Sequence, residues 1–272
     1  MSVHVSDWVD VPGLQPAGRE FAIGDVHGFS KPLEIVLRAM GERAAATGHG
    51  HLTILGDLID RGPDHLGALK LAVQPVDAWG FSGKTLLIGN HDLFLALLLG
   101  EGHYDTSAIA RTWLMNGGHG LLDQLGAVLS EDIQPRLVDC LGNDGVVQIK
   151  GMSGSRVSGN VRMSHAGPGW FYGIAAKEWY AAPTLFTGFL RGSLRHYTWT
   201  REWWTRPPLD DGFFVHGHTP EIFIREIQEW NPEVHRLDGP RLGLDGGGFE
   251  QDERHVVGAE LEPGRYRIYA AR

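Results

Sequence analysis

Leu52-Thr53-Ile54-Leu55-Gly56-Asp57-Leu58-Ile59-Asp60-Arg61-Gly62 is an apolar run that stops at Gly-Asp and turns polar. Short runs rich in β-branched or aromatic residues and bounded by turn formers read as strands. The same pattern occurs four more times. Phe21-Ala22-Ile23 ends in Gly24-Asp25-Val26-His27-Gly28, and Thr85-Leu86-Leu87-Ile88 ends in Gly89-Asn90-His91-Asp92. Val161 to Ser164 ends in His165-Ala166-Gly167, and Phe213 to Val215 ends in His216-Gly217-His218-Thr219-Pro220. Between the first three runs lie helical stretches, Lys31 to Ala46 with Pro32 in its first turn and Leu66 to Val73; a third starts at Asp92. Strands alternating with helices predict βαβ units and an α/β fold. In such sheets ligands bind beyond the carboxyl ends of the strands, where all five polar motifs fall.

The rest of the chain is read around that frame. Trp170 to Trp204 is dense in aromatics and is expected to fold over the rim of the site, mostly as packing. Beyond Pro220, the runs Ile222 to Ile227, Arg241 to Leu244, His255 to Leu261 and Arg265 to Tyr269 suggest a second sheet layer closing the fold. The 272 residues are expected to form one domain, with its core over about 19–100 and 160–272 and flanking segments over about 101–160 and 168–212.

Composition narrows the function. Lys and Arg number 24 against 33 Asp and Glu, a net charge of −9. That balance argues against a general binder of nucleic-acid backbones, which needs a basic surface to release counterions. The lone Cys140 cannot form an internal disulfide, which points to a reducing compartment, the cytoplasm. The first residues lack the basic start and apolar core of a signal peptide. The longest apolar run, Leu93 to Leu99, is far short of the roughly 20 residues that span a bilayer, so no membrane partner is expected.

The strand-end residues are metal-ligand types. Asp25 and His27 can both face inward, Asp57 can bridge two cations with its two oxygens, and Asn90 offers an amide oxygen. His165 and His216 add imidazole nitrogens. Singly, each is ordinary: an Asp-x-His pair is commonly a turn beside a surface histidine, and Asn is a common turn former. Jointly, five strand ends each carrying a ligand predict a site for two divalent ions. Mixed N/O ligation without thiolate suits Mn best among Mn, Fe, Zn and Co. Two such ions about 3.5–4 Å apart generate a hydroxide and clamp the oxygens of an in-line displacement at phosphorus.

Gly-Asp-Val-His-Gly, Gly-Asp-Leu-Ile-Asp-Arg-Gly, Gly-Asn-His-Asp, His-Ala-Gly and His-Gly-His-Thr, in this order, resemble the calcineurin-like metallophosphoesterases. Within them the set is similar to the bacterial phosphoprotein phosphatases and symmetrical diadenosine tetraphosphatases, from about Gly24 to Pro220, with a weaker echo at Gly243 to Gly247. The resemblance implies a four-layer α/β/β/α sandwich with a dinuclear site at the strand ends. It implies that Asp25, His27 and Asp57 hold one ion, and Asp57, Asn90, His165 and His216 the other. It further implies that His91 protonates the leaving group, oriented by Asp60, and that Arg61 and Asn90 engage the phosphate. A second arginine is implied between the last two histidines; Arg201 fits the pattern best, with Arg191 and Arg195 as rivals. The expected activity is hydrolysis of phosphomonoesters, phosphoserine and phosphothreonine in proteins first. The alternative is a symmetrical diadenosine tetraphosphate hydrolase. An inactive binding module on the same fold should have lost a ligand, and none is missing. Eukaryotic relatives carry Asn-His-Glu and His-Gly-Gly at two of these motifs, and their docking features for regulatory subunits have no counterpart here.

Overall fold

A computed structural model describes residues 2–100, 106–128, 130–167, 198–199, 201, 212–220, 239–247 and 256–272. In chain order its elements are β1 (His4–Val5), β2 (Val9–Asp10), β3 (Glu20–Ile23), α1 (Ser30–Ala46), β4 (His51–Ile54), α2 (His65–Val73), β5 (Gly83–Leu86) and α3 (Asn90–Leu99). There follow α4 (Thr106–Met115), α5 (His119–Leu125), α6 (Ser130–Lys150), β6 (Ser155–Ser158), β7 (Val161–Ser164), β8 (Phe213–His216), β9 (Arg241–Gly243), β10 (Val256–Glu262) and β11 (Arg265–Ala271).

Among the described residues these strands make two sheets. One has the order β1-β11-β10-β3-β4-β5, with β2 also on β11; the other is β6-β7-β8-β9. β3, β4 and β5 run parallel, as do β7, β8 and β9. Parallel neighbours need crossovers, and α1 and α2 supply them in the first sheet. α1 buries Leu33, Val36, Leu37, Met40 and Ala44, an apolar stripe at helical spacing. Asp64 caps α2, its Oδ1 accepting the Gly67 N–H at 2.9 Å. α3 buries nearly every residue it has, so it is a core helix and its sequence shows no polar face.

Alternation along the strands divides the interior in two. Phe21 and Ile23 enter a core shared with the helices, while Ala22 enters a second core between the sheets, with Val161, Val215, Leu242 and Val257. The result is an α/β sandwich: helices, first sheet, second sheet. The segment expected to fold over the rim of the site, 168–212, and the run Ile222 to Ile227 lie almost entirely outside the described residues. No helix among the described residues is long and apolar enough to cross a membrane.

Two expectations change. Of the described late runs read as a second sheet, only β9 joins it; β10 and β11 extend the first sheet, β10 pairing antiparallel with β3. Every residue of β10 is buried, its two glutamates included, so no exposed face says which sheet it serves. The stretch 101–160, read as a flank, contributes Trp113, Leu121, Leu125, Ile133, Leu137, Val146 and Ile149 to the helical core and β6 to the second sheet.

Away from the strand ends, Glu260 is fully buried on the first sheet. It accepts from Arg43 of α1 at 3.1 Å, Arg267 at 2.8 Å and the Tyr269 hydroxyl at 3.0 Å, and Arg19 Nε forms an ion pair with it at 3.2 Å. Glu262 pairs with Arg19 and with Arg265. A buried carboxylate is tolerated because it is paired with cations and accepts hydrogen bonds from Arg43, Arg267 and Tyr269. Glu260→Gln keeps the volume and removes the charge, so urea unfolding should show a loss of about 2–3 kcal/mol, moderated because the arginines are partly exposed.

Candidate metal centre

The ends of β3, β4, β5, β7 and β8 meet through their own backbones. Val26 and His27 N–H both donate to Asp57 O, at 3.1 and 2.7 Å, and Gly28 N–H donates to Leu58 O at 2.8 Å. Within the second sheet Gly217 N–H donates to His165 O at 2.7 Å, and across the sheets His218 N–H donates to Asp25 Oδ1 at 2.9 Å. Of the six non-glycine residues with positive φ among those described, five are His27, Asp57, Asp60, Arg61 and His218. Left-handed backbone at non-glycine residues costs energy and clusters at working sites.

Asp57 is the centre. Its Oδ1 accepts the His91 N–H at 2.9 Å, and its Oδ2 lies 3.3 Å from His27 Nε2 and 3.4 Å from His165 Nε2. His27 Nδ1 donates to Ile59 O at 2.9 Å and His165 Nδ1 to Leu55 O at 3.1 Å, which turns both Nε2 atoms to the cluster. That backbone tether is the usual way of fixing a metal-ligating imidazole. Asn90 Oδ1 is 3.2 Å from His165 Nε2, and Asp25 Oδ2 is 3.7 Å from His27 Nε2. Two donor groups, His27-Asp57-His91 and Asp57-His165-His218, each gather within 4.8 Å and share Asp57. Burial alone would push the Asp57 carboxyl up, but the neighbouring His165, His91 and His27 charges outweigh it and hold it well below the usual range. It stays anionic.

His218 replaces His216 in the cluster. His216 is the last residue of β8; its Nδ1 donates to Gly217 O at 3.0 Å and burial pushes it down to about 4. It belongs to neither donor group. The chain then turns through His218 at φ +64°, bringing that ring 5.1 Å from His165. Gly217 permits the turn, because a Cβ there would fall 2.1 Å from Asp25 Oδ1. A regularity in the sequence marks the same residue: Asp25, Asp57, Asn90 and His165 all lie beyond their strands, as His218 does and His216 does not.

The donors fit two hard or borderline cations: carboxylate and amide oxygens with imidazole, no thiolate, all buried. Among the described residues His218 Nε2 is buried without a hydrogen bond, a cost that a cation would relieve.

Around the cluster, His91 Nδ1 is 2.7 Å from Asp60 Oδ2. The Arg61 fork spans His27 Nε2 at 2.9 Å and His91 Nε2 at 3.2 Å. Arg201 donates to His218 O at 3.0 Å and Thr219 Oγ1 at 3.1 Å, so it stands beside the second donor group. Arg191 and Arg195 lie outside the described residues. Asp245, in the Gly243 to Gly247 echo, is buried near His216 and accepts from Gly247 N–H. Asp92 was not singled out, yet its Oδ1 accepts Leu58 N–H at 2.9 Å and its Oδ2 Gly89 N–H at 3.0 Å. It ties the loop that carries Asp57 to the start of α3, which carries Asn90. An acid at the third position of a helix that also bonds the cap is the sequence signal for it.

The model of the calcineurin-like phosphoesterase family matches residues 21–254. The chain belongs to that family. Calcineurin-like phosphoesterases use a dinuclear divalent metal site, and the Asp and His groups above are able to bind it. A symmetrical bis(5'-nucleosyl)-tetraphosphatase of Nitrosospira multiformis is 28% identical over 189 residues, 69% of this chain and 56% of that protein. One from Ralstonia nicotianae is 38% identical over 74 residues, 27% of this chain and 23% of that protein. The chain thus spans between about a quarter and just over half the length of these curated relatives. A protein serine/threonine phosphatase of Saccharomyces cerevisiae has the same fold, with TM-score 0.52, 12% identity and coverage of 95% of this chain and 83% of that one.

Two outcomes are expected. His218→Ala should lose bound metal and at least about 100-fold in activity, whereas His216→Ala should keep its full metal complement by elemental analysis. In the metal-free protein, burial opposes a charge on His165, but Asp57 and Asp25 outweigh it and push that imidazole up to about 9. A cation taking Nε2 must displace that proton, so affinity should rise with pH up to about 9. Calorimetry in buffers of different ionisation enthalpy should read the release.

Proposed function

We propose that this calcineurin-like phosphoesterase hydrolyses phosphomonoesters, with phosphoserine and phosphothreonine in proteins as the preferred class. One observation carries the reading: the buried 2.7 Å pair of His91 and Asp60, whose other ring nitrogen is turned to the Arg61 guanidinium at the edge of the donor cluster. Ester cleavage expels an alkoxide that needs a proton, and a positioned imidazole is the side chain suited to give one. Asp60 accepts from His91 Nδ1 and aims the ring. Arg61 presents a planar fork that matches two phosphoryl oxygens, and Arg201 approaches from the side of His218. Asp25, His27, Asp57, Asn90, His165 and His218 would hold two divalent cations, manganese fitting this donor set best. Bound there, the cations would supply nucleophile activation and neutralise charge at phosphorus.

A second reading, hydrolysis of a dinucleoside polyphosphate, is favoured by the similarity to the symmetrical bis(5'-nucleosyl)-tetraphosphatases. The leaving group separates the two. A phosphate leaves an anhydride as a stable anion, so a dedicated proton donor matters less there than for an alkoxide.

The test is a panel of phosphoserine peptide, p-nitrophenyl phosphate and diadenosine tetraphosphate with manganese-loaded protein. The phosphopeptide should be turned over with the highest kcat/KM. His91→Ala should cost it about 10²–10⁴-fold and the aryl ester distinctly less, with bound metal unchanged. Preference for diadenosine tetraphosphate would select the second reading, and equal losses on both esters would remove His91 as the proton donor.

A further inference from the structure

The helices between the third and fourth motifs supply a side chain that no motif announced. Trp113 of α4 is fully buried. Its indole Nε1–H donates to the Asp60 carboxylate, at 3.0 Å to Oδ2 and 3.2 Å to Oδ1. Asp60 Oδ2 is the atom paired with His91 Nδ1, and the Asp60 backbone N–H is held by His65 Nδ1 at 2.9 Å. Asp60 is therefore gripped from three sides, and among the described residues only Trp113 fixes the plane of its carboxylate apart from His91 itself. Indole donates one hydrogen and neither accepts nor titrates, so it stabilises the anion without competing for the proton shared with His91.

The seat of the ring is built as well. After α4 the chain turns sharply, with Asn116 and Gly118 N–H both donating to Trp113 O, at 2.8 and 3.1 Å. Gly118 lies flat on the indole: a Cβ there would fall 2.5 Å from Trp113 Cδ2. Gly117, at φ +107°, passes Asp60 so closely that its Cβ would be 3.4 Å from that of Asp60. Space filling alone would not need the nitrogen edge of the ring turned to the carboxylate. A buried donor aimed at a buried anion is a charge-assisted hydrogen bond, among the stronger kinds.

Building on the assignment of His91 as proton donor, we propose that Trp113 is a positioning residue for that step. Its N–H locks the Asp60 carboxylate, which aims the His91 ring at the leaving oxygen. Helix α4 is then part of the proton-delivery apparatus.

Trp113→Phe keeps most of the bulk and removes the N–H. In manganese-loaded protein, kcat on a phosphoserine peptide should fall about 10- to 30-fold, and kcat on p-nitrophenyl phosphate by no more than about threefold. KM and bound metal should not change. In the His91→Ala background the same substitution should have no further effect, because residues acting as one unit are not additive. Gly118→Ala, which leaves the indole intact but forces it off Asp60, should reproduce the pattern and stands in if the Phe variant does not fold. Equal losses on the two esters, or a loss that persists without His91, would reduce Trp113 to packing and overturn the proposal. If His91→Ala leaves the phosphoserine rate intact, the proton-donor assignment falls and Trp113's role with it. If His91→Ala is costly and neither Trp113→Phe nor Gly118→Ala is, that assignment stands and this inference alone falls.

Discussion

A carboxylate with no solvent around it, Asp57, organises everything within reach. Its oxygens face two imidazoles and one backbone N–H, and its own backbone carbonyl accepts from two successive N–H groups of the neighbouring strand end. An isolated anion in that position would be prohibitively costly. It is tolerable because Ile59 and Leu55 carbonyls orient His27 and His165 towards it, and because Asp92 bolts the two loops on either side. The strand ends could not relax independently without exposing that charge to unpaired neighbours. The polar centre is thus a structural constraint as much as a chemical one.

The strain is distributed accordingly. Left-handed backbone at His27, Asp57, Asp60, Arg61 and His218 is held by the hydrogen bonds between adjacent loops, which over-determine each conformation. Such residues gain in return a side-chain direction that a regular strand or helix would not provide. His218 makes the contrast plain, since two residues earlier in regular strand geometry His216 ends up bonded to its own neighbour's carbonyl.

Much of this was legible in the residues. Apolar runs ending in turn formers marked β3, β4, β5, β7 and β8, and the Asp, Asn and His that follow the first four of them are brought together. What was not legible has physical causes. β10 is buried on both faces, its two glutamates included, and has no exposed face to assign it to a sheet. His216 and His218 are chemically identical, and only the end of the strand between them separates a ring that faces the cluster from one that does not. Trp113 acts through a hydrogen bond to a partner distant in sequence, Asp60, so no local pattern signals it, and the bond from Leu58 N–H to Asp92 is equally remote although the helix-cap bond of Asp92 is local. The aromatic segment expected over the rim of the site lies almost entirely outside the described residues.

The pairing of β3 with β10 has a consequence for how the molecule is made. β3 carries the first motif, and one of its two neighbours, β4, follows soon after it, but the other comes from near the opposite end of the chain. While the ribosome is still adding residues, β3 presents a bare hydrogen-bonding edge and an uncovered apolar face. The first sheet cannot be completed until Val256 to Ala271 have emerged and threaded β10 between β3 and β11. Pairings this remote in sequence form slowly, and open strand edges invite association between nascent chains. The vulnerable interval in the life of this protein is therefore its synthesis, and the late strand that ends it also seals the sheet that bears Asp25 and His27.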